Sequence, residues 1–301
     1  MTTVMTELSM YAPRRKRRST HLPIRGVDYV VHEWGEPGAA PLFYLHGWGD
    51  TGTTFQFVVD QLASRWRVIA PDWRGFGASG HAASAYWFPD YLADLDRLLD
   101  YYSPDTPVML VGHSMGANVA GLYAGVMPER VRAFVNLEGF GIRNADPAEA
   151  PLRYRQWIER GRSLPAYGRY ADFETLAARI RRRSPRMTAA QASFVAREWA
   201  EQGNDGLVLR ADPRHKLPNA VLYRRAEAEA CWQAATAPVL LVSGSRSEVV
   251  AAAGARLHAG YPDLPFRDCR TLLVDNAGHM LHFEAPGELA AAIDAFCGEC
   301  L

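Results

Sequence analysis

The sequence predicts an α/β protein: a doubly wound, mostly parallel sheet with a helical insertion. Three observations carry this. Short, continuously apolar runs bounded by glycine, proline or aspartate recur along the 301 residues. Patterns of helical periodicity lie between most of them. From Gly141 to about Thr236 this alternation stops and amphipathic helical patterns take over. Continuous apolar strands alternating with helices are the mark of a parallel sheet covered on both faces.

Thr20 to Trp34 reads as an antiparallel hairpin on the sheet edge, turning near Arg25-Gly26. Buried strands follow at Leu42–Leu45, which ends in His46-Gly47, then at Arg67–Asp72, Val108–Gly112 and Ala133–Leu137, and after the insertion at Pro238–Val242 and Thr271–Val274. Each is short and rich in branched side chains. Leu92, Leu95, Leu98 and Leu99 recur at helical spacing between two of these strands. In the insertion, breaks fall near Pro165, Gly168, Ser184-Pro185, Gly203 and Pro213, and no buried strand is expected there. It holds sixteen arginines and Lys216 against eleven carboxylates, a net charge of +6. The organisation expected is therefore a flexible basic leader over residues 1–18, a core of 19–140 and 237–301, and a helical insertion over 141–236.

Composition narrows the classes. With 48% hydrophobic and 22% charged residues, the chain is neither disordered nor a coiled coil. Lys plus Arg and Asp plus Glu both total 33, whereas a dedicated nucleic-acid binder carries a basic excess. No run reaches the roughly 18 apolar residues of a membrane span. The first twenty residues lack the apolar segment and cleavage site of a secretory signal, and the run Arg14 to Arg18 reads as a solvated face. Cys231, Cys269, Cys297 and Cys300 are too few and too late for a disulfide framework. Cys297 and Cys300 have metal-ligand spacing, but a structural zinc site needs about four ligands and no second pair exists. Reduced thiols in a cytoplasmic protein are expected.

The chemistry concentrates at strand ends. Gly112-His113-Ser114-Met115-Gly116 fits G-x-S-x-G, directly after an apolar strand and directly before a helical pattern. The sharp turn strains the serine backbone and projects its hydroxyl, and the flanking glycines remove side chains that would collide. A serine hydroxyl needs a base. His279, in Asn276-Ala277-Gly278-His279-Met280 after the last buried strand, returns to the same sheet edge; the turn-forming Gly278 favours it over the nearby His282. His46-Gly47-Trp48-Gly49 can offer the Trp48 backbone N–H to an oxyanion, joined by that of Met115. His46 and the Asp72–Ser79 loop read as structural.

In this order and context, HGWG, PDWRGFGAS, GHSMG and AGHMLHFEAP resemble the α/β-hydrolase-fold serine hydrolases, over about Val27 to Phe296. The motifs are specific for the fold and unspecific for substrate. The resemblance implies a catalytic triad and makes the insertion similar to the family's helical cap, whose aromatic residues Tyr154, Trp157, Tyr167, Tyr170, Phe173, Phe194, Trp199 and Trp232 would form mostly its own core. The acid departs from the common pattern. Most members carry an aspartate about three residues beyond the glycine ending the seventh strand, and Ser247 stands there, with Glu248 one residue on. The resemblance offers a second place, the end of the sixth strand, as in haloalkane dehalogenases. Glu138 occupies it, 24 residues after Ser114. Glu138 is assigned as the acid, with Glu248 as the alternative and an acid-free dyad as a third option.

A serine nucleophile argues against haloalkane dehalogenases and epoxide hydrolases of this fold, which attack with aspartate. Acyl chemistry remains, and the expected function is hydrolysis of a carboxylic ester through an acyl-enzyme. The alternatives are the same triad on another bond (C–C hydrolase, amidase, lactonase or hydroxynitrile-type lyase) or a non-catalytic ligand-binding member. No cofactor or metal is implied. The expected partner is a small acyl substrate, without nucleic acid or membrane span; a homodimer is left open. The arginine excess suits either an anionic substrate or, for Arg181-Arg182-Arg183, a solvated helix face.

Overall fold

The computed structural model describes residues 10–249, 256–258 and 261–301. Strands β1 (Arg18–Ile24) and β2 (Val27–Trp34) form the expected hairpin, turning through Arg25 and Gly26 at φ 45° and 79°. Two consecutive positive φ values match the twist of the flanking strands. Next come β3 (Ala40–Leu45), β4 (Trp66–Pro71), β5 (Val108–His113) and β6 (Val131–Leu137). β7 (Ala200–Gly203) and β8 (Gly206–Leu209) form a separate ribbon, followed by β9 (Val239–Gly244), a small pair β10 (Arg256–His258) and β11 (Tyr261–Asp263), and β12 (Cys269–Val274). The main sheet has eight strands in the order β1-β2-β4-β3-β5-β6-β9-β12. All pairs from β4 to β12 are parallel, and the hairpin joins antiparallel through β2.

Helices α1 (Gln56–Val59), α2 (Phe88–Tyr102) and α3 (Met115–Val126) belong to the first half. α4 (Ala150–Arg162), α5 (Phe173–Arg183), α6 (Ala189–Trp199) and α7 (Arg225–Ala234) lie between β6 and β9, and α8 (Leu281–Glu284) and α9 (Pro286–Glu299) follow β12. One face of the sheet buries Leu95, Leu98 and Leu99 of α2 and Tyr123 of α3 against Phe43, Leu110 and Phe134. The other buries Val58 and Val59 of α1 and Leu289 and Ile293 of α9 against Tyr44, Val111 and Val135. Cover on both sides is why β5 and β9 are buried at every residue.

The insertion differs from expectation in two ways. It contains the β7–β8 ribbon, whose sequence AEQG–ND–GLVL is too polar and short to show alternation. Its last helix packs on the sheet: Trp232 of α7 is 1% exposed within the same core cluster as Phe134 and Val239. A crossover between parallel strands must cover the sheet with a helix, and α7 does so between β6 and β9. α5, α6 and the ribbon build their own cluster from Leu176 and Ile180 of α5, Val195 of α6 and Leu207 of β8, closed by Phe57 and Phe283 from the sheet side; α4 buries no residue.

The described part of the leader is also docked. The Tyr11 hydroxyl donates to Asp60 at 2.7 Å, and its ring meets Phe57 and Phe194 edge-on at 4.8 and 5.7 Å. The Arg15 backbone N–H reaches Asp60, its guanidinium the Leu62 carbonyl, and Arg17 pairs with Glu198 at 3.1 Å. The basic run is thus partly a set of anchors, because the several N–H donors of a guanidinium can reach a backbone carbonyl or a carboxylate. Residues 1–9 lie outside the described residues. Among the described residues no helix is long and apolar enough to cross a membrane, and the four cysteines are unpaired.

A second anchor ties the insertion to the loop after β4. The backbone exchanges Asp212 N–H to Gly75 O and Gly77 N–H to Arg210 O, at 2.7 and 2.8 Å. The His215 ring stacks between Phe76 (3.8 Å between centroids) and Tyr86 (3.6 Å) and donates Nε2–H to the Arg74 carbonyl. Burial in this stack pushes His215 down to about 4. A histidine held neutral by folding binds its proton more readily once unfolded, so stability is intact above pH 6.5 and falls between 6.5 and 4. Roughly 3 kcal/mol should be lost across that window through this group alone. Denaturant titrations of wild type and His215→Gln should show a shallower acid slope in the variant; equal slopes would remove His215 as the cause.

Candidate active site

β5 delivers the chain straight into α3, and Ser114 is the residue between them. It sits at φ 51°, ψ −112°, a conformation that costs about 1–3 kcal/mol and persists only when its surroundings enforce it. Here the Ser114 N–H is held by the Leu137 carbonyl at 2.8 Å, and its carbonyl accepts the Asn118 N–H at 3.0 Å. A Cβ on Gly112 would lie 2.5 Å from the Ala117 Cα, and one on Gly116 would strike the Leu45 carbonyl oxygen. The two glycines therefore let the elbow pack against both the following helix and the neighbouring strand. This is the steric account expected from the motif.

Glu138 directly follows β6, at φ 60°, with Asn136 bracing the turn through hydrogen bonds to both the N–H and the carbonyl of Gly139. Its carboxylate is 1% exposed and takes three donors. Gly244 N–H, at the end of β9, reaches Oε1 at 2.8 Å; the Ser247 hydroxyl and His279 Nδ1–H reach Oε2, the latter at 2.9 Å. Ser247, in the position where the common pattern has its aspartate, is hydrogen-bonded to the carboxylate that lies against His279. Glu248 is exposed. The structure thus brings Glu138, and not Glu248, to the histidine.

His279 lies on the loop after β12, where Asn276 makes the turn at φ 57°. The loop is fixed from behind: His113 donates Nε2–H to the His279 carbonyl at 2.9 Å. Burial first, and the neighbouring His282 and His279 next, hold His113 well below the usual imidazole range, so it is a neutral donor. Ser114, His279, Trp48 and Gly47 line one cavity of about 360 Å³. The Ser114–His279 hydrogen bond is not closed here, which is common for catalytic pairs before substrate tightens them.

His282 faces the other way. It is completely buried and its Nε2 meets Asp50 Oδ2 at 3.0 Å. Asp50 also accepts the Trp199 indole N–H at 2.7 Å and the Thr54 hydroxyl at 2.9 Å. Burial opposes its ionisation, but His282 and Trp199 outweigh that and hold the Asp50 carboxyl below its ordinary value. Asp50, His113 and His282 bring ligand-type atoms within 4.8 Å of one another. With both Asp50 oxygens already engaged, the trio reads as a polar brace between the His46–Asp50 loop and the His279 loop. Sequence reasoning missed this brace, since Asp50 and His282 are 232 residues apart and their contact leaves no local signal.

The His46–Gly49 loop lies against the elbow: a Cβ on Gly47 would come 3.2 Å from the Ser114 Cβ. His46 accepts the Trp73 N–H through Nε2 and donates Nδ1–H to the Gly47 carbonyl, both at 2.8 Å, and burial lowers its pKa. It is structural, as read from sequence. Asp72 is equally occupied, accepting the N–H groups of Gly52 and Ala78. Met115 opens α3, so its N–H has no partner inside the helix. Trp48 N–H and Met115 N–H thus come from the two segments that flank Ser114.

Residues 40–286 match the family described as the alpha/beta hydrolase fold. A serine hydrolase-like protein of Danio rerio is 27% identical over 69% of this chain; the match spans 66% of that relative, so the chain covers slightly less than two thirds of its length. The 2-(acetamidomethylene)succinate hydrolase of Mesorhizobium japonicum is 27% identical over 92% of this chain and 96% of its own. Among solved structures, a thioesterase domain from the curacin biosynthetic pathway superposes with a TM-score of 0.79 at 23% identity, covering 92% of this chain and 99% of the domain; that likeness concerns the fold.

The geometry separates the two acid candidates experimentally. Glu138→Gln keeps the volume and removes the charge that an imidazolium would need, so kcat should fall by up to about 10⁴-fold. Glu248→Gln should leave kcat within a few-fold of wild type. A dead Glu248 variant beside an active Glu138 variant would move the acid to the loop after β9.

Proposed function

The chain belongs to the alpha/beta hydrolase fold family, and from that premise we propose that it is a serine hydrolase cleaving a carboxylic ester through an acyl-enzyme. The observation that carries the reading is the His279–Glu138 hydrogen bond at 2.9 Å. It commits Nδ1 as a donor and leaves Nε2 as the basic nitrogen, in the cavity that Ser114 also lines. Ser114 attacks the carbonyl carbon while His279 takes the hydroxyl proton. The Trp48 and Met115 N–H groups receive the charge that develops on the carbonyl oxygen. Collapse of the tetrahedral intermediate expels the alcohol, protonated by His279, and water repeats the sequence on the acyl-enzyme.

In this reading the insertion up to the start of α7 serves as a cap, contributing Tyr167, Tyr170, Leu176 and Ile180 to the cavity beside Ser114. A second reading, the same residues acting on another bond, is favoured by the Mesorhizobium japonicum relative, named for 2-(acetamidomethylene)succinate and not for a simple ester.

Treatment with a fluorophosphonate, followed by intact-mass measurement, tests the nucleophile. One adduct per chain is expected, absent in Ser114→Ala, together with turnover of short aryl esters that the same substitution abolishes. A stoichiometric adduct that survives in Ser114→Ala would refute the assignment.

A further inference from the structure

We infer that the cavity shared by Ser114 and His279 contains a carboxylate-binding subsite in which Arg179, Arg183 and Arg210 hold a negatively charged group of the substrate. The inference deepens the serine hydrolase reading by naming a substrate class, while anion binding itself does not depend on which bond is cleaved.

Arg179 and Arg183 are one helical turn apart on α5 and therefore share a face. Arg210 arrives from a different element, just after β8, and all three line the same 360 Å³ cavity as the nucleophile. Asp50 is the one carboxylate in that lining, and its oxygens are occupied by His282, Trp199 and Thr54. Among the described residues neither Arg179 nor Arg183 forms an ion pair; Arg179 rests on the Tyr170 ring, 5.9 Å from its centroid. Arg210 has Glu201 at 3.6 Å, an exposed carboxylate. Like charges one turn apart destabilise a helix slightly, and a bound anion would reverse that.

Two contrasts sharpen the point. A second cavity, about 600 Å³, also reaches Ser114, but there carboxylates accompany the arginines: Arg143 and Arg153 both lie near Glu149, and Arg224 lies near Glu227. The larger imbalance of positive charge lies on the His279 side, where Arg179, Arg183 and Arg210 share the lining with Asp50. On α5 itself, Arg181 and Arg182 are absent from the cavity lining, whereas Arg179 and Arg183, also solvent-exposed, border it. The remaining wall includes Leu176, Ile180, Leu209 and Phe283. An apolar wall raises the strength of a guanidinium–carboxylate contact, and the planar fork of arginine matches a carboxylate's two oxygens.

A substrate could carry its carboxylate on the acyl half or on the alcohol half, and paired esters distinguish these. The first pair is the hemiglutarate and the butyrate of 4-nitrophenol; the second is the butyrate of 4-hydroxybenzoate and that of 4-hydroxybenzamide. In one pair the charged member should have a kcat/KM about 10- to 100-fold higher, the worth of a hydrogen bond to a charged group. That ratio should collapse towards one in Arg179→Gln/Arg183→Gln through a rise in KM, and persist in Arg181→Gln/Arg182→Gln. Calorimetry of glutarate with Ser114→Ala, with and without the two cavity arginines, reads binding without any catalysis. Neutral esters cleaved with no charge preference in either pair would overturn the subsite and leave the hydrolase reading standing. A charge preference or glutarate affinity that survives Arg179→Gln/Arg183→Gln would overturn it too. Glutarate binding lost with the arginines, in a protein that cleaves no ester, would support the subsite and sink the ester reading.

Discussion

The buried carboxylate of Glu138 is the point on which the site depends. A carboxylate removed from water is unfavourable unless donors replace its hydration, and here the donors come from three separate places. Gly244 belongs to the end of β9, Ser247 to the turn beyond it, and His279 to the loop after β12. The requirement to satisfy one side chain therefore fixes the relative positions of three strand ends. His279 is oriented as a consequence, because its Nδ1–H is one of the three donors. Ser247, in the position that the common family pattern gives to an aspartate, is itself a donor to the Glu138 carboxylate.

A second polar layer lies behind the first. Asp50 and His282 join the loop after β3 to the segment after His279, and His113 grips the His279 carbonyl. The residue preceding Ser114 thus supports the His279 loop. Ser114, in its strained conformation, the His279 loop and the His46–Asp50 loop are held in place by hydrogen bonds between elements, not by any one secondary-structure unit. A buried pair such as Asp50–His282 is expensive to break from one side, since a lone buried charge remains. His282 accordingly matters for stability even though it does not face the cavity.

The insertion is attached at places that also shape the cavity. Trp199 reaches Asp50, and Arg210 is bonded through its carbonyl to Gly77. Its charge is unevenly distributed around Ser114: the arginines of one cavity lie near Glu149 and Glu227, whereas Arg179 and Arg183 of the other form no ion pair among the described residues.

How much of this was legible follows from the range of the forces involved. The strands, the hairpin turn at Arg25-Gly26 and the elbow at Ser114 are local consequences of side-chain size, β-branching and glycine placement, so the sequence by itself determined them. His279 was readable because a loop after the last strand must return to the same edge of a parallel sheet. Glu138 was readable only through the family resemblance, which offers the end of the sixth strand as a second place for the acid, with Glu248 left open. Tertiary structure brings Glu138 to His279; hydrogen-bond partners 106 and 141 residues away are invisible to local pattern. It likewise decided that Trp232 covers the sheet, that Tyr11 and Arg15 are docked, and that Arg183 faces a cavity while Arg181 does not. A charged run carries no direction until a helix packs, and which of its members turns inward depends on what the opposite face must bury.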